Sequence, residues 1–327
     1  MQDMSIESRK KQVHTKSIII ALAAVVLCVL LFLPVCVIAD LDFAYDAVYA
    51  VSPVIAQKLK PVRKSCADNG IELKFISSSV NEEGPEIYVS LKDLTGDRID
   101  DTVDLFDSYS VNCPFPAGNS CRFVEFDAEN REALFLISVR QQDKQDIIGD
   151  KITFSMNRLL SHKRMFAGEI VQVDLAAVSL NSPALQKDVQ IRGYSAPSAG
   201  IMDVSSFGVL APMPEMSFSP VQGAEITAAG YVDGLLHIQV HYDDILAYDN
   251  HGDVYLTDTD GKVIDALYSL SFWDESHEGS YQEYIFDIPS DSLLDYKLAG
   301  HFVTCDTLIR GDWQITFPLE QASQPVS

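Results

Sequence analysis

The chain has 327 residues, 47% of them hydrophobic, and 24 Lys and Arg stand against 47 Asp and Glu for a formal net charge of −23 at pH 7. A surface this acidic is repelled by phosphate backbones and anionic headgroups, which excludes nucleic acid as an expected partner and suits solvation or the binding of cations and basic peptides. The length exceeds the needs of one small core and implies two domains of roughly 100–150 residues beyond an N-terminal segment.

Residues 1–16 form a basic stub, with Arg9, Lys10, Lys11 and Lys16 against Asp3 and Glu7. Residues 17–39, SIIIALAAVVLCVLLFLPVCVIA, are apolar and uncharged. As a helix that run spans roughly 34 Å, enough to cross a bilayer core of about 30 Å. It is longer than a secretory signal core, and Pro34 and Val35 before Cys36 do not suit a lipoprotein signal. A retained single-pass anchor is therefore expected, with the cleaved-signal and lipid-anchor alternatives left open. The positive-inside bias places the stub in the cytoplasm and residues 40–327 outside the cell membrane. The stub takes four of the 24 basic and two of the 47 acidic residues, leaving 20 against 45 beyond the run, a net charge of −25.

Residues 40–70 read as a juxtamembrane helical segment. Ser52 is its N-cap with Pro53 at the first helical position, and Asn69-Gly70 is its stop. Val54, Ile55 and Leu59 would face either the membrane surface or the first domain. From residue 71 the apolar period becomes two, as in strands. A β-rich, sandwich-like exported domain is expected over 71–192, with strands at 71–75, 86–91, 121–126, 133–140, 151–156 and 170–178. Glu83-Gly84-Pro85 punctuates the first two, and 157–162 reads as a short helical turn. Residues 193–220, rich in Gly, Ser, Pro and Met, mark a linker or strand-crossing segment.

A second domain over 221–320 carries about seven short strands, for which an immunoglobulin-like sandwich is the natural closure. Its candidates are 235–241, 254–256, 262–267, 268–273, 283–288, 297–303 and 313–317. Asp260-Gly261 gives a type I′ hairpin signal and His251-Gly252 a further turn. Trp273 and Trp313 lie in strand-like runs and read as core. Residues 321–327 read as a disordered tail. The expected class is mainly β: one N-terminal transmembrane helix, a juxtamembrane helical segment and two β-sandwich-like extracytoplasmic domains.

Few constellations carry chemistry. Asp93, Asp97, Asp100, Asp101, Asp104 and Asp107 crowd one segment, and the oxygens of Asp93, Asp97, Asp100 and Asp101 form the candidate metal set. The EF-hand spacing is absent, and a turn-rich polar surface is the competing explanation. Asp258 and Asp260 resemble part of a calcium loop but also suit a hairpin. His237 and His241 share one face of a strand near Asp243 and Asp244, with Leu236, Ile238 and Val240 on the opposite, core-facing side; the histidine face reads as solvated, with zinc as a candidate ligand. Asp93-Leu-Thr-Gly96 is not an aspartic-protease signature. Ser195 in GYSAP lacks the second glycine of a nucleophile elbow, and the common metalloprotease and nucleotide-binding motifs are absent. No enzyme activity and no cofactor are expected.

Cys28 and Cys36 lie in the apolar run. Outside the cytoplasm the other four could be oxidised, and Cys113 with Cys121 brackets the loop CPFPAGNSC as a candidate bridge across a hairpin. Cys66 with Cys305 is the remaining pair.

Several stretches resemble a family of Gram-positive bacterial membrane proteins with an exported domain of unknown function, whose members often occur among anti-sigma factors. They are YAVSP at 49–53, KPVRKSCADNG at 60–70, LTGDRID at 94–100, DLFDSYS at 104–110, IIGDKITF at 147–154, YQEYIFD at 281–287 and GDWQITFP at 311–318. The resemblance implies an exported sensing or interaction module coupled through the helix to a sigma-factor-binding segment, and assigns no catalytic residue. The stub holds no zinc-binding His/Cys set and no helix long enough to cover a sigma factor. The chain is therefore expected to be an exported-domain paralogue with a separate signalling partner, or to begin further upstream. Its partner would be a protein or an envelope ligand. An envelope structural role, or a surface hydrolase using the 93–107 segment, is the alternative.

Overall fold

The structure is a computed structural model that describes residues 32–106, 108–143, 145–178, 183–186, 189–195 and 208–320. The basic stub, residues 17–31 of the apolar run and the expected tail 321–327 lie outside the described residues. The chain is mainly β, built from antiparallel sheets. It divides into two compact units that do not meet the expected boundary at 193–220. The first comprises Met1–Asp97, Asp107–Arg158 and Arg310–Ser327, the second Arg98–Phe106 and Leu159–Ile309.

In the first unit residues 32–38 are helical, followed by α1 (Asp42–Val51) and α2 (Pro53–Leu59). Ser52 caps α2 as expected: its side chain accepts from the Ile55 amide at 3.4 Å and Pro53 opens the helix. The helical segment ends earlier than the sequence suggested. Residues 65–68 form β1 (Ser65–Asp68), which pairs with β2 (Ile71–Val80) in the register Asp68↔Ile71. Asn69 and Gly70 have φ of 41° and 72°, so they form the two-residue hairpin loop rather than a helix stop. β2 continues into β3 (Pro85–Asp93) through 81–84, where the Asn81 side chain accepts from the Glu83 and Gly84 amides at 2.9 and 3.1 Å.

After β4 (Tyr109–Asn112), β5 (Ala117–Asp127) and β6 (Glu132–Gln141) complete a sheet of order β1-β2-β3-β6-β5. β4 instead pairs with the start of β7 (Lys151–Glu169). The helical turn expected at 157–162 is therefore part of a long strand. Ile71, Leu73, Phe75, Ile87, Val89 and Leu91 point inward at alternate positions, as the period predicts. Phe75 stacks on Phe317 with ring centroids 4.4 Å apart, and the fully buried Trp313 donates its indole N–H to the Ile71 carbonyl at 2.9 Å.

In the second unit β7 ends at Glu169, and residues 170–178, expected as a strand, hold only a short 3₁₀ turn at Leu175–Ala177. Of the expected linker, the described residues 193–195 and 208–220 contribute strands to this unit. After β8 (Leu185–Gln186) come β9 (Gly193–Ser195), β10 (Val209–Leu210) and β11 (Phe218–Val221). β9 pairs with a later strand, and β8 pairs with β10. Next are β12 (Ala224–Val232), β13 (Leu235–Tyr242), β14 (His251–Thr257), β15 (Val263–Ile264), β16 (Tyr268–Trp273), β17 (Ser280–Phe286) and β18 (Lys297–Pro318), whose last residues return to the first unit.

One sheet runs β11-β12-β13-β17-β16-β9, and another brings β15, β14 and β18 together with β7. Ile226, Leu236, Ile238 and Phe286 of the first pack with Val254, Leu256, Leu298 and Phe302 of the second in one apolar core, a sandwich-like arrangement. The other face of the six-stranded sheet is covered too. There Val209 packs with Tyr268, Leu270, Phe272 and Ile285, and Leu210 with Ala228 and Val232.

Two turn expectations change. His251 and Gly252 lie inside β14, where a Cβ on Gly252 would sit 2.4 Å from the His301 carbonyl oxygen; the glycine permits close strand approach rather than a turn. Asp260-Gly261 does turn the β14–β15 hairpin, but through a longer loop. Asp258 and Lys262 are bonded across it, the Asp258 carboxylate accepts from the Asp260 and Lys262 amides at 3.0 and 2.9 Å, and Gly261 has φ 79°.

Candidate functional site

The acidic segment that suggested a metal site is divided between the two units: Asp93 and Asp97 belong to the first, Asp100, Asp101 and Asp104 to the second. Asp107 lies outside the described residues. Asp93 is fully buried and its Oδ1 accepts from the Thr95 amide, the Thr95 hydroxyl and the Gly96 amide at 3.0–3.3 Å. Asp97 and Asp101 are exposed. Asp100 Oδ1 accepts from the Thr102 amide, the Ser161 hydroxyl and the His162 amide at 3.0, 2.8 and 3.2 Å.

Asp104 exchanges both backbone hydrogen bonds with Leu160, and Lys163 Nζ donates to its Oδ2 at 2.6 Å. Lys163 also lies 3.7 Å from Asp249. Burial alone would raise the Asp100 and Asp104 carboxyls, but the hydrogen bonds they accept outweigh it and hold both below the ordinary value. These carboxylates spend their lone pairs on turns and on strapping 98–106 to β7. Among the described residues no group of three or more His, Cys, Asp or Glu could hold a metal ion.

The histidine face of β13 is not solvated. His237 is buried, its Nδ1 lies 2.5 Å from Oε1 of the fully buried Glu283, and Gln239 Nε2 donates to Glu283 Oε2 at 3.0 Å. The Leu210 amide donates to the same Oε2 at 2.9 Å, and Gln239 also donates to the Leu210 carbonyl at 2.7 Å. Alternation placed these side chains on one face correctly; only the fold shows that β10 lies over that face. Glu283 was missed because a charge between Gln282 and Tyr284 in a strand-like run reads as a surface position, and the partners that bury it come from distant segments.

Cys113 and Cys121 are not bridged; each carries its own thiol. They do not flank a hairpin loop: Cys113 follows β4, which pairs with β7, while Cys121 sits in β5 opposite Ile137 of β6. Burial pushes the Cys113 thiol up to about 12. Cys66 and Cys305 are likewise separate, and Cys66 Sγ accepts from the Gln314 amide at 3.2 Å.

A recess in the second unit lies beside β13 and β18, with a volume of about 310 Å³, lined by Gln222, Gly223, Asp243, Asp244, Tyr248, Asn250, Thr304, Cys305 and Asp306. Asn250 anchors its floor: its Nδ2 donates to the Asp243 carbonyl at 2.6 Å, and Thr304 Oγ1 donates to its Oδ1 at 2.7 Å. Gly223, at φ 80°, leaves room for this amide, since a Cβ there would sit 2.4 Å from Asn250 Nδ2.

Three carboxylates rim the recess and no basic side chain lines it. Asp243 Oδ1 lies 3.2 Å from His241 Nδ1, while His241 Nε2 is 3.1 Å from Asp274 Oδ2; Arg164 pairs with Asp306. Burial pushes the Cys305 thiol up to about 11, which keeps it protonated and weakly nucleophilic at neutral pH. The recess is equipped to hold a cation or hydrogen-bond donors.

No family model and no curated protein matches the chain. A solved structure of a conserved domain protein from Bacillus anthracis aligns over 81% of this chain and 93% of its own, at 7% identity and a TM-score of 0.24. A score that low does not establish a shared fold.

Proposed function

We propose that the protein is a single-pass membrane protein with its N-terminus in the cytoplasm, whose extracytoplasmic part is a non-enzymatic sensing or protein-interaction module. The observation that carries this is the uncharged apolar run 17–39 between a basic stub and a strongly acidic remainder. No helix among the described residues is long and apolar enough to cross a membrane, and most of the run precedes them.

Within this reading the domain expected over 221–320 is an immunoglobulin-like sandwich, supported by two sheets closing on one apolar core. The acidic recess takes a basic group of the partner, supported by its three carboxylates and lack of lining cations. A link to sigma-factor signalling rests on the family resemblance alone. Photo-crosslinking in membranes from a probe at Asp244 tests the module: a discrete protein adduct, lost in an Asp243→Asn/Asp306→Asn variant, is expected. Recovery of the chain alone under several stress conditions would overturn it.

A further inference from the structure

The helices that precede β1 are two-sided. Ala44, Tyr45 and Ala56 are buried in a cluster with Cys36 and Val37 of the helical residues 32–38, while toward the body Gln57 donates to the Asn112 carbonyl at 2.7 Å and Tyr49 to the Cys113 carbonyl at 2.8 Å. Lys60, only 2% exposed, pairs with Asp40 at 2.9 Å and Asp42 at 3.1 Å, and its ammonium lies 4.7 Å from the centre of the Tyr45 ring. Arg63 also reaches Asp40 at 2.6 Å. Away from the body, Ile38, Leu41, Phe43, Val51, Val54 and Ile55 are all exposed, Phe43 at 66% and Val51 at 87%. Phe43, Ala47 and Ala50 share one exposed face of α1 at helical spacing, and Val51 and Val54 lie on either side of the extended Ser52 that separates the two helices. Leu59, by contrast, packs against the buried cluster.

We propose that this apolar face lies in the headgroup–acyl boundary of the bilayer, so that the helices form an interfacial collar holding the exported body against the membrane. This rests on the membrane-anchor reading. Two observations select lipid as the occupant. Residues 17–31, which enter the helical residues 32–38 directly, carry no charge, and Val54 follows Ala39 by 15 residues, roughly 23 Å of helix at most. Residues 40–64 also hold Lys58, Lys60, Arg63 and Lys64 against three aspartates, so this stretch escapes the acidity of a chain whose net charge is −23. An apolar face with a near-neutral flank is what interfacial helices present to lipid.

The test uses the full chain reconstituted in phosphatidylcholine vesicles with brominated acyl chains, which quench tryptophan near the hydrocarbon boundary. The added emission of a Val54→Trp variant, and of a Val51→Trp variant as a second reporter, is expected to be quenched about threefold more than that of native Trp273 and Trp313. Unaltered far-UV circular dichroism confirms folding. An unquenched reporter in a chain that resists alkaline carbonate extraction overturns the collar and leaves the anchor standing. Reporters shielded from iodide in a concentration-dependent way, without bromine quenching, assign the face to a second copy and also overturn the collar. Complete extraction by carbonate overturns both the anchor and the collar.

Discussion

Replacing Glu283 by Ala removes the acceptor on which three donors converge: His237 Nδ1, Gln239 Nε2 and the Leu210 amide. The glutamate is 0% exposed and the His237 side chain 3%, so water cannot easily take its place. Gln239 keeps its bond to the Leu210 carbonyl, but the histidine and the Leu210 amide are left without this acceptor. Breaking one partner of a buried polar pair costs about 3–5 kcal/mol, a drop of about 6–20 °C in Tm for a unit of this size. Glu283→Gln keeps one carbonyl oxygen and the side-chain shape, so its cost should be about half as large. Thermal melts of the full chain in detergent, followed by near-UV circular dichroism, measure both. Hydrogen exchange at the Leu210 amide gives a local readout and should accelerate at least tenfold in Glu283→Ala. A loss below about 1 kcal/mol with unchanged Leu210 protection would refute the idea that this network pins β10 to the sheet.

Further outcomes follow from the same geometry. Asp100 and Asp104 are held below the ordinary carboxylate value, so their ionised forms favour folding above about pH 3.9 and that contribution is lost as pH falls through the lower folded values. Asp104→Asn should therefore lose less Tm than the parent between pH 7 and pH 3; equal losses would contradict the strap. Despite its burial, Lys163 is held above the ordinary lysine value by Asp104 and Asp249; its contribution is complete below about pH 10.4 and fades as pH rises through the folded value, so Lys163→Met should flatten the alkaline limb of the same melt series. Gly252→Ala drives a Cβ to within 2.4 Å of the His301 carbonyl oxygen and 3.0 Å of Phe302 Cα, and should destabilise by about 2–4 kcal/mol in thermal melts. Alkylation without reductant, followed by peptide mapping, should find Cys113 and Cys121 on separate peptides, Cys113 reacting only after denaturation; a disulfide-linked peptide would refute the assignment.

The sequence by itself determined what depends on local chemistry and period. The cap at Ser52 with Pro53, the inward positions 71, 73 and 75, the core role of Trp313 and the strands at 235–241 and 268–273 follow from residue types within a few positions. Local chemistry is ambiguous where one signal serves two geometries. Asn69-Gly70 ends helices and closes type I′ hairpins alike, and pairing of β1 with β2 decided for the hairpin. Gly252 signals a turn or a close approach, and β18 decided for the approach.

Tertiary structure alone decided which face of a strand is covered. His237 and Glu283 look like surface residues until Val209 and Leu210, from a stretch that reads as a linker, lie over them. It also decided that Asp100 and Asp104 bond to β7, because their partners Ser161 and Lys163 lie about 60 residues away in the chain. Burial and hydrogen-bond partnership are sums over distant segments, and a period of two or 3.6 residues carries no record of what those segments bring. For the same reason the exposure of Phe43, Val51 and Val54 became visible only once Ala44, Tyr45 and Ala56 were packed with Cys36 and Val37 on the other side of the helices.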